Sequence, residues 1–149
     1  MAFERKNHAD MKIERLRELP LFAAAGPREM RAVAAAGDLL DVEAGRVLCQ
    51  AERHARECFL VVDGMVDVVI DGTTVATLRR GQLVGELGVI DGLPRSADVI
   101  AATDATVLAI AAREMRSLIA TSRALREAVL CQLADRVRQA DESLSLVAS

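Results

Sequence analysis

The chain has 149 residues, a formal net charge of -3, 52% hydrophobic and 28% charged residues. That length suits one domain with a real core, and the composition excludes intrinsic disorder. No apolar run approaches the roughly 18 residues a bilayer span needs, and residues 1–19 are charged throughout, unlike a secretory leader.

The segment Asp10–Leu19 reads as a helix, with Met11, Ile13, Leu16 and Leu19 near the helical period. Pro20 ends it. A second helix starts at Pro27, carries Met30 and Val33 on one face and ends at Gly37, taken as a glycine C-cap. From Leu39 short β-branched runs alternate with turn signals. LLDV precedes Glu43-Ala44-Gly45, RVLC follows, and CFLVV comes after a charged stretch that holds His54. MVDVVI and TVATL flank Asp71-Gly72, a hairpin signal. ADVIAA and TVLAI lie beyond Arg95. Strands this short and this closely spaced predict a sandwich or a small barrel.

From Ala112 the pattern is helical. Leu130, Leu133, Val137, Ala140, Leu144 and Val147 step by three and four residues. This spacing fits an amphipathic helix lying on its own barrel, and it fits a seam between two copies. The predicted organisation is a single domain over 1–149, with N-terminal helices about 10–37, strands about 39–111 and C-terminal helices about 112–147.

Cys49, Cys58 and Cys131 form no CxxC pair, and their odd number speaks against a disulfide framework. They read as buried, unreactive thiols in a reducing cytoplasm. Two histidines, His8 and His54, cannot build a multi-histidine metal site. No Ser-His-Asp set or credible Cys–His pair is present, so an enzyme is not expected. The mild acidity and the absence of Trp and Tyr disfavour nucleic acid as a partner.

One stretch breaks the strand rhythm. Residues 81–97, GQLVGELGVIDGLPRSA, hold four glycines, a carboxylate at Glu86 and a single cation at Arg95. A short helical turn over 86–90 would point unpaired N–H groups at an anion. Gly85 and Gly88 would admit a ligand close to the backbone. Arg95 could clamp a phosphate, and Glu86 could accept from a sugar hydroxyl. The same residues also fit a plain turn with a surface ion pair.

Val84-Gly85-Glu86-Leu87-Gly88-Val89-Ile90, a three-residue gap, and Pro94-Arg95-Ser96-Ala97 resemble the phosphate-binding cassette of the cyclic nucleotide-binding domain family. This module is shared by the catabolite activator protein, the regulatory subunit of protein kinase A and cyclic nucleotide-gated channels. Leu19-Pro20-Leu21-Phe22, Glu43-Ala44-Gly45 and Phe59–Gly64 resemble further family landmarks, so the resemblance covers about residues 16–140. It implies an eight-stranded antiparallel jelly-roll barrel with N-terminal helices and a C-terminal helical lid. It implies that Glu86 accepts from the ribose 2′-hydroxyl and that Arg95 neutralises the cyclic phosphate. Gly85, Leu87 and Gly88 would line the pocket, and Ser96 and Ala97 would bond the phosphate or flank the base.

The implied effector is cAMP more than cGMP, with no metal, since a Thr at the Ser96 position favours guanine in many members. Three departures stand out. Gln50-Ala51-Glu52 replaces a usual Gln-Gly turn. No aromatic is available on the last helix to cap the base, which leaves Leu130, Leu133, Val137, Arg136 or Arg138 as the lid. No helix-turn-helix follows before Ser149. The expected protein is therefore a free-standing regulatory module that signals to a partner in trans or through dimer contacts of the C-terminal helix. A ligand-independent interaction scaffold on the same fold is the alternative.

Overall fold

The computed structural model describes residues 8–51, 56–85 and 97–148. Helix α1 (His8–Arg17) is followed by a 3₁₀ turn (Pro20–Phe22) and α2 (Pro27–Ala36). Eight strands follow among the described residues: β1 (Gly37–Val42), β2 (Val47–Cys49), β3 (Glu57–Asp63), β4 (Val66–Ile70), β5 (Thr73–Leu78), β6 (Leu83–Val84), β7 (Asp98–Ala101) and β8 (Ala105–Ala111). Helices α3 (Ala112–Thr121) and α4 (Arg123–Ala148) close the described chain.

The strands form two four-stranded antiparallel sheets, ordered β1-β8-β3-β6 and β2-β7-β4-β5. This corrects the expected eight-stranded jelly-roll barrel: neither sheet closes on itself. Gly45, at φ +92°, turns the chain between β1 and β2 and sends them to different sheets. Among the described residues β1, β6, β2 and β5 are edges, and no ladder joins an edge of one sheet to an edge of the other. β6 has only two residues and β5 is bulged, so neither edge offers a straight run for closure.

Layering follows from the sequence of β3 and β8. CFLVV in β3 and ATVLAI in β8 are buried without a break. Leu60, Val62, Leu108 and Ile110 join Leu16, Phe22, Met30 and Met115 in a core between the first sheet and the helices. Phe59, Val61, Val107 and Ala109 face Val66 and Val99 in a second core between the sheets. A continuous apolar run is what a strand covered on both faces requires. The outer sheet has one wet face: Thr73 to Thr77 of β5 are exposed throughout.

Several local expectations are refined. Asp71 and Gly72 both take positive φ, 50° and 78°, as a type I′ hairpin turn demands. Gly37 is not a left-handed C-cap, because its φ is -132°. It starts β1, and a Cβ there would lie 2.8 Å from Leu108 Cγ, so close approach is what requires glycine. The Lys12 ammonium caps α2 instead, donating to the carbonyls of Ala34 and Gly37 at 2.8 Å each. Cys49 and Cys58 are buried, but Cys131 is exposed on α4, against the expectation of three buried thiols. No helix among the described residues is long and apolar enough to cross a membrane.

Gly64 joins β3 to β4 at φ +80°, and a Cβ there would meet Asp104 O at 2.4 Å and Ala105 Cα at 2.8 Å. Gly72 has a similar φ but open space around it. Gly64→Ala is therefore expected to cost at least about 3 kcal/mol and Gly72→Ala only about 1 kcal/mol. Urea unfolding of both variants checks the ranking, and equal losses would refute the backbone clash.

Candidate functional site

The segment singled out by its chemistry begins at one sheet and ends at the other. β6 lies on the edge of the first sheet, where Phe59 pairs with Val84 and Leu60 with Leu83. Gly85 follows at φ +84°, a left-handed conformation that glycine adopts without strain. Ala97, half-buried, leads directly into β7, which lies between β2 and β4 in the other sheet. Of the expected site residues the structure therefore places Gly85 and Ala97. Glu86, Leu87, Gly88, Arg95 and Ser96 lie outside the described residues, as does His54. Among the described residues no group of His, Cys, Asp and Glu is arranged to hold a metal ion.

Two residues make a weak ladder on their own, so what secures β6 matters. Its side chains divide between the two cores: Leu83 joins the helix-side cluster and Val84 the inter-sheet cluster. On the β3 side, Gln82 accepts from Val61 N–H at 2.9 Å and Gly81 N–H donates to the Val61 carbonyl at 2.8 Å. On the outer side, α4 supplies the partner. Leu83 N–H donates to Gln132 Oε1 at 2.8 Å, and Gln132 Nε2 donates to the Leu83 carbonyl at 2.5 Å. One side-chain amide thus satisfies both main-chain groups of Leu83, as a neighbouring strand would.

The start of α4 is fastened separately. Ser122, buried, accepts from Leu125 N–H at 3.2 Å in the N-cap manner. Its hydroxyl donates to Glu29 Oε2 at 2.6 Å, and the same oxygen accepts from Ala124 N–H at 2.9 Å. A carboxylate from α2 therefore sits at the positive end of α4. Arg126 Nη1 donates to the carbonyls of Ile119 and Ala120, at 3.0 and 3.2 Å, and closes the end of α3. Arg123 donates to Glu127 at 2.9 Å on the surface. That hydrogen bond, then the charge of Glu127, holds the guanidinium pKa above its ordinary value, with a smaller push from Glu29.

The expected lid residues part company on α4. Leu125 and Val129 are buried and Leu133 packs against the same core, whereas Leu130 and Val137 are 59% and 61% exposed. The first half of α4 thus lies on its own molecule, and Leu130 and Val137 face away from it. Arg138 lies 3.9 Å from Asp135, with both side chains well exposed. Between α4, the 3₁₀ turn and the turn before β6 is a cleft of about 350 Å³, lined among others by Leu21, Gly81, Glu127, Cys131, Gln132 and Asp135. The altered Gln50-Ala51-Glu52 turn is held at Ala51, whose N–H donates to Asp98 Oδ1 at 2.7 Å.

Sequence reasoning missed Gln132 and Glu29. Each acts on main-chain groups distant in sequence, and neither belongs to a local motif.

Residues 39–122 match the family model described as Cyclic nucleotide-binding domain. A cyclic nucleotide-gated potassium channel of Mesorhizobium japonicum is 32% identical over 109 residues, which are 73% of this chain and 30% of the channel. A cAMP-dependent protein kinase regulatory subunit of Aspergillus niger is 30% identical over 108 residues, 71% of this chain and 26% of that protein. The chain therefore spans under a third of the length of these relatives. The catabolite activator protein of Thermus thermophilus superposes with a TM-score of 0.72 at 27% identity, over 87% of this chain and 63% of that one.

Glu29→Ala removes the acceptor shared by Ser122 and Ala124. It is expected to cost about 1–2 kcal/mol. Urea unfolding measures that loss, and amide exchange should show Ala124 opening faster while the β3 amides keep their protection. Unchanged Ala124 exchange would show that Glu29 does not fasten α4.

Proposed function

The chain belongs to the cyclic nucleotide-binding domain family, and on that premise we propose that it binds cAMP in preference to cGMP through residues 85–97. The observation that carries this reading is the placement of the two ends of that segment. Gly85 leaves the first sheet in a left-handed conformation and Ala97 enters the second, so eleven residues connect two fixed points. Within them Glu86 accepts from the ribose 2′-hydroxyl, and Arg95 neutralises the cyclic phosphate with a charge-assisted pair. Backbone N–H groups at Gly85, Leu87 and Gly88 add donors, and Ser96 and Ala97 flank the phosphate and base. Ser96 in place of Thr favours adenine over guanine, and the relative from Aspergillus niger is named for cAMP dependence.

The role is regulatory, without catalysis and without a metal, and it is exercised in the cytoplasm. Occupancy is reported through α4 to a protein partner, in trans or as a second copy. Leu130 and Val137, exposed and seven residues apart, supply an apolar stripe for that contact. The ligand acts by favouring one α4 position over another, and its leverage equals its differential affinity for the two.

Thermal melting with a reporter dye tests the reading, since the chain has no Trp or Tyr. Ligand at about 100 times its dissociation constant stabilises by about 2.7 kcal/mol. For a domain of this size that raises the melting temperature by roughly 5–10 °C. The expected rise comes with cAMP, is smaller with cGMP at equal concentration, and is lost in Arg95→Ala. A flat response of folded protein up to millimolar nucleotide would overturn the proposal in favour of a ligand-independent interaction scaffold.

A further inference from the structure

Gln132 joins α4 to the main chain that leads into residues 86–96. Its amide covers both outward-facing groups of Leu83, two residues before Gly85. The strand it covers has two residues, a single β-sheet neighbour and nothing else bonded to the outer side of Leu83 among the described residues. Removing that amide leaves Leu83 with an unpaired donor and acceptor in a half-buried place, so β6 must fray or rehydrate. The remaining anchor on that face is the Leu83 side chain, whose core neighbours include Leu125 and Val129 of the same helix.

We propose that Gln132 is a positioning residue that clasps α4 to the backbone of β6, and that this clasp sets how much of the protein holds residues 85–97 ready for nucleotide. The proposal rests on the reading of that segment given above. Apparent affinity falls in proportion to the fraction of molecules in the competent arrangement. Because the clasp joins the helix to the strand through two hydrogen bonds on one side chain, α4 cannot leave β6 without exposing Leu83. Nucleotide affinity and helix position are thereby tied to the same pair of bonds.

Two substitutions separate the hydrogen bonds from the space the side chain fills. Gln132→Leu keeps the bulk and removes both bonds. Gln132→Glu keeps the shape, and its behaviour depends on protonation. An ionised carboxylate accepts from Leu83 N–H but faces the Leu83 carbonyl with no proton to give. A protonated carboxyl makes both bonds again. Bonding to the neutral form raises the pKa of the introduced acid above the ordinary value of about 4.3, so the clasp should re-form as the pH falls from about 8 to about 5. Glu127, Cys131 and Asp135 line the same cleft on α4, and Arg79 and Arg80 lie in the turn before β6. These groups are common to parent and variant, so each variant is compared with the parent at the same pH.

The readouts are amide exchange at Leu83 without nucleotide and the dissociation constant for cAMP, with far-UV circular dichroism to confirm folding. In Gln132→Leu, Leu83 exchange is expected to quicken about tenfold and cAMP binding to weaken about three- to tenfold at either pH. Gln132→Glu should show a smaller loss than Gln132→Leu near pH 8, because its carboxylate keeps the bond from Leu83 N–H but not the one to the Leu83 carbonyl, and should return towards the parent near pH 5. Three results would overturn the proposal: a Leu83 amide as protected in Gln132→Leu as in the parent, unchanged cAMP affinity beside a faster Leu83, or a Gln132→Glu defect equal at both pH values. Should the parent itself bind neither cAMP nor cGMP, the reading of residues 85–97 fails separately, and the proposed link to affinity is overturned with it. Leu83 exchange and its pH profile then decide the clasp alone.

Discussion

Burial of β3 and β8 on both faces is the constraint from which the rest of the architecture follows. Five consecutive buried positions in β3 and six in β8 cannot be covered by one layer, so helices must close one face and a second sheet the other. Thr106 is the sole buried polar side chain on these two strands, and its hydroxyl donates to Asp41 at 2.7 Å on β1. Everything near the candidate site borrows its position from this layer. β6 is held by β3, and β3 is held by β8.

The same constraint gives α4 an unequal hold along its length. Leu125 and Val129 are buried, and each contributes about 1.5–3 kcal/mol when fully removed from water. The bonds from Glu29, Ser122 and Gln132 add about 1 kcal/mol apiece. Beyond Leu133 the described side chains are exposed or half-buried, and Val137 adds nothing to the intramolecular core. The attachment is therefore a matter of a few kcal/mol, the same scale as the linkage energy of a ligand well above its dissociation constant. On the function proposed above, a helix held much more strongly could not be moved by a nucleotide, and one held much less strongly would carry no information about it.

Sequence pattern made the helices and most strands legible because their periods are local. The doubly buried CFLVV and TVLAI runs, the Asp71-Gly72 hairpin and Pro27 at the start of α2 all announce themselves within a few residues. β6 escaped because two residues show no period, and its paired partner lies 23 residues earlier at Leu60. Closure into a barrel was misjudged because strand patterns reveal which residues are buried, not which edges meet. Of the candidate site, the motif over 84–97 was legible as chemistry, and the structure adds the fixed ends at Gly85 and Ala97. Gln132 was illegible because its partner is a main-chain group 49 residues away, and any residue type can present a main-chain group.

The way each sheet edge is protected sharpens the part β6 plays. An open edge invites further pairing, and proteins blunt it with bulges, charges or cover. β5 carries a bulge: Val68 opposes Ala76 while Val69 opposes Thr74, so Val75 lacks a directly opposite residue. β2 is irregular between Val47 and Cys49, and the Asp98 carboxylate takes up the Ala51 amide just beyond it. β1 carries Asp38 and Asp41, both exposed. Those devices belong to the sheets themselves and persist whatever the helices do. β6 is covered by a side chain of α4, so the protection of this edge depends on where that helix lies. It is also the edge strand that runs into residues 86–96. The least self-sufficient strand thus stands between the segment proposed to bind nucleotide and the helix with an exposed apolar stripe, and Gln132 ties the strand to that helix.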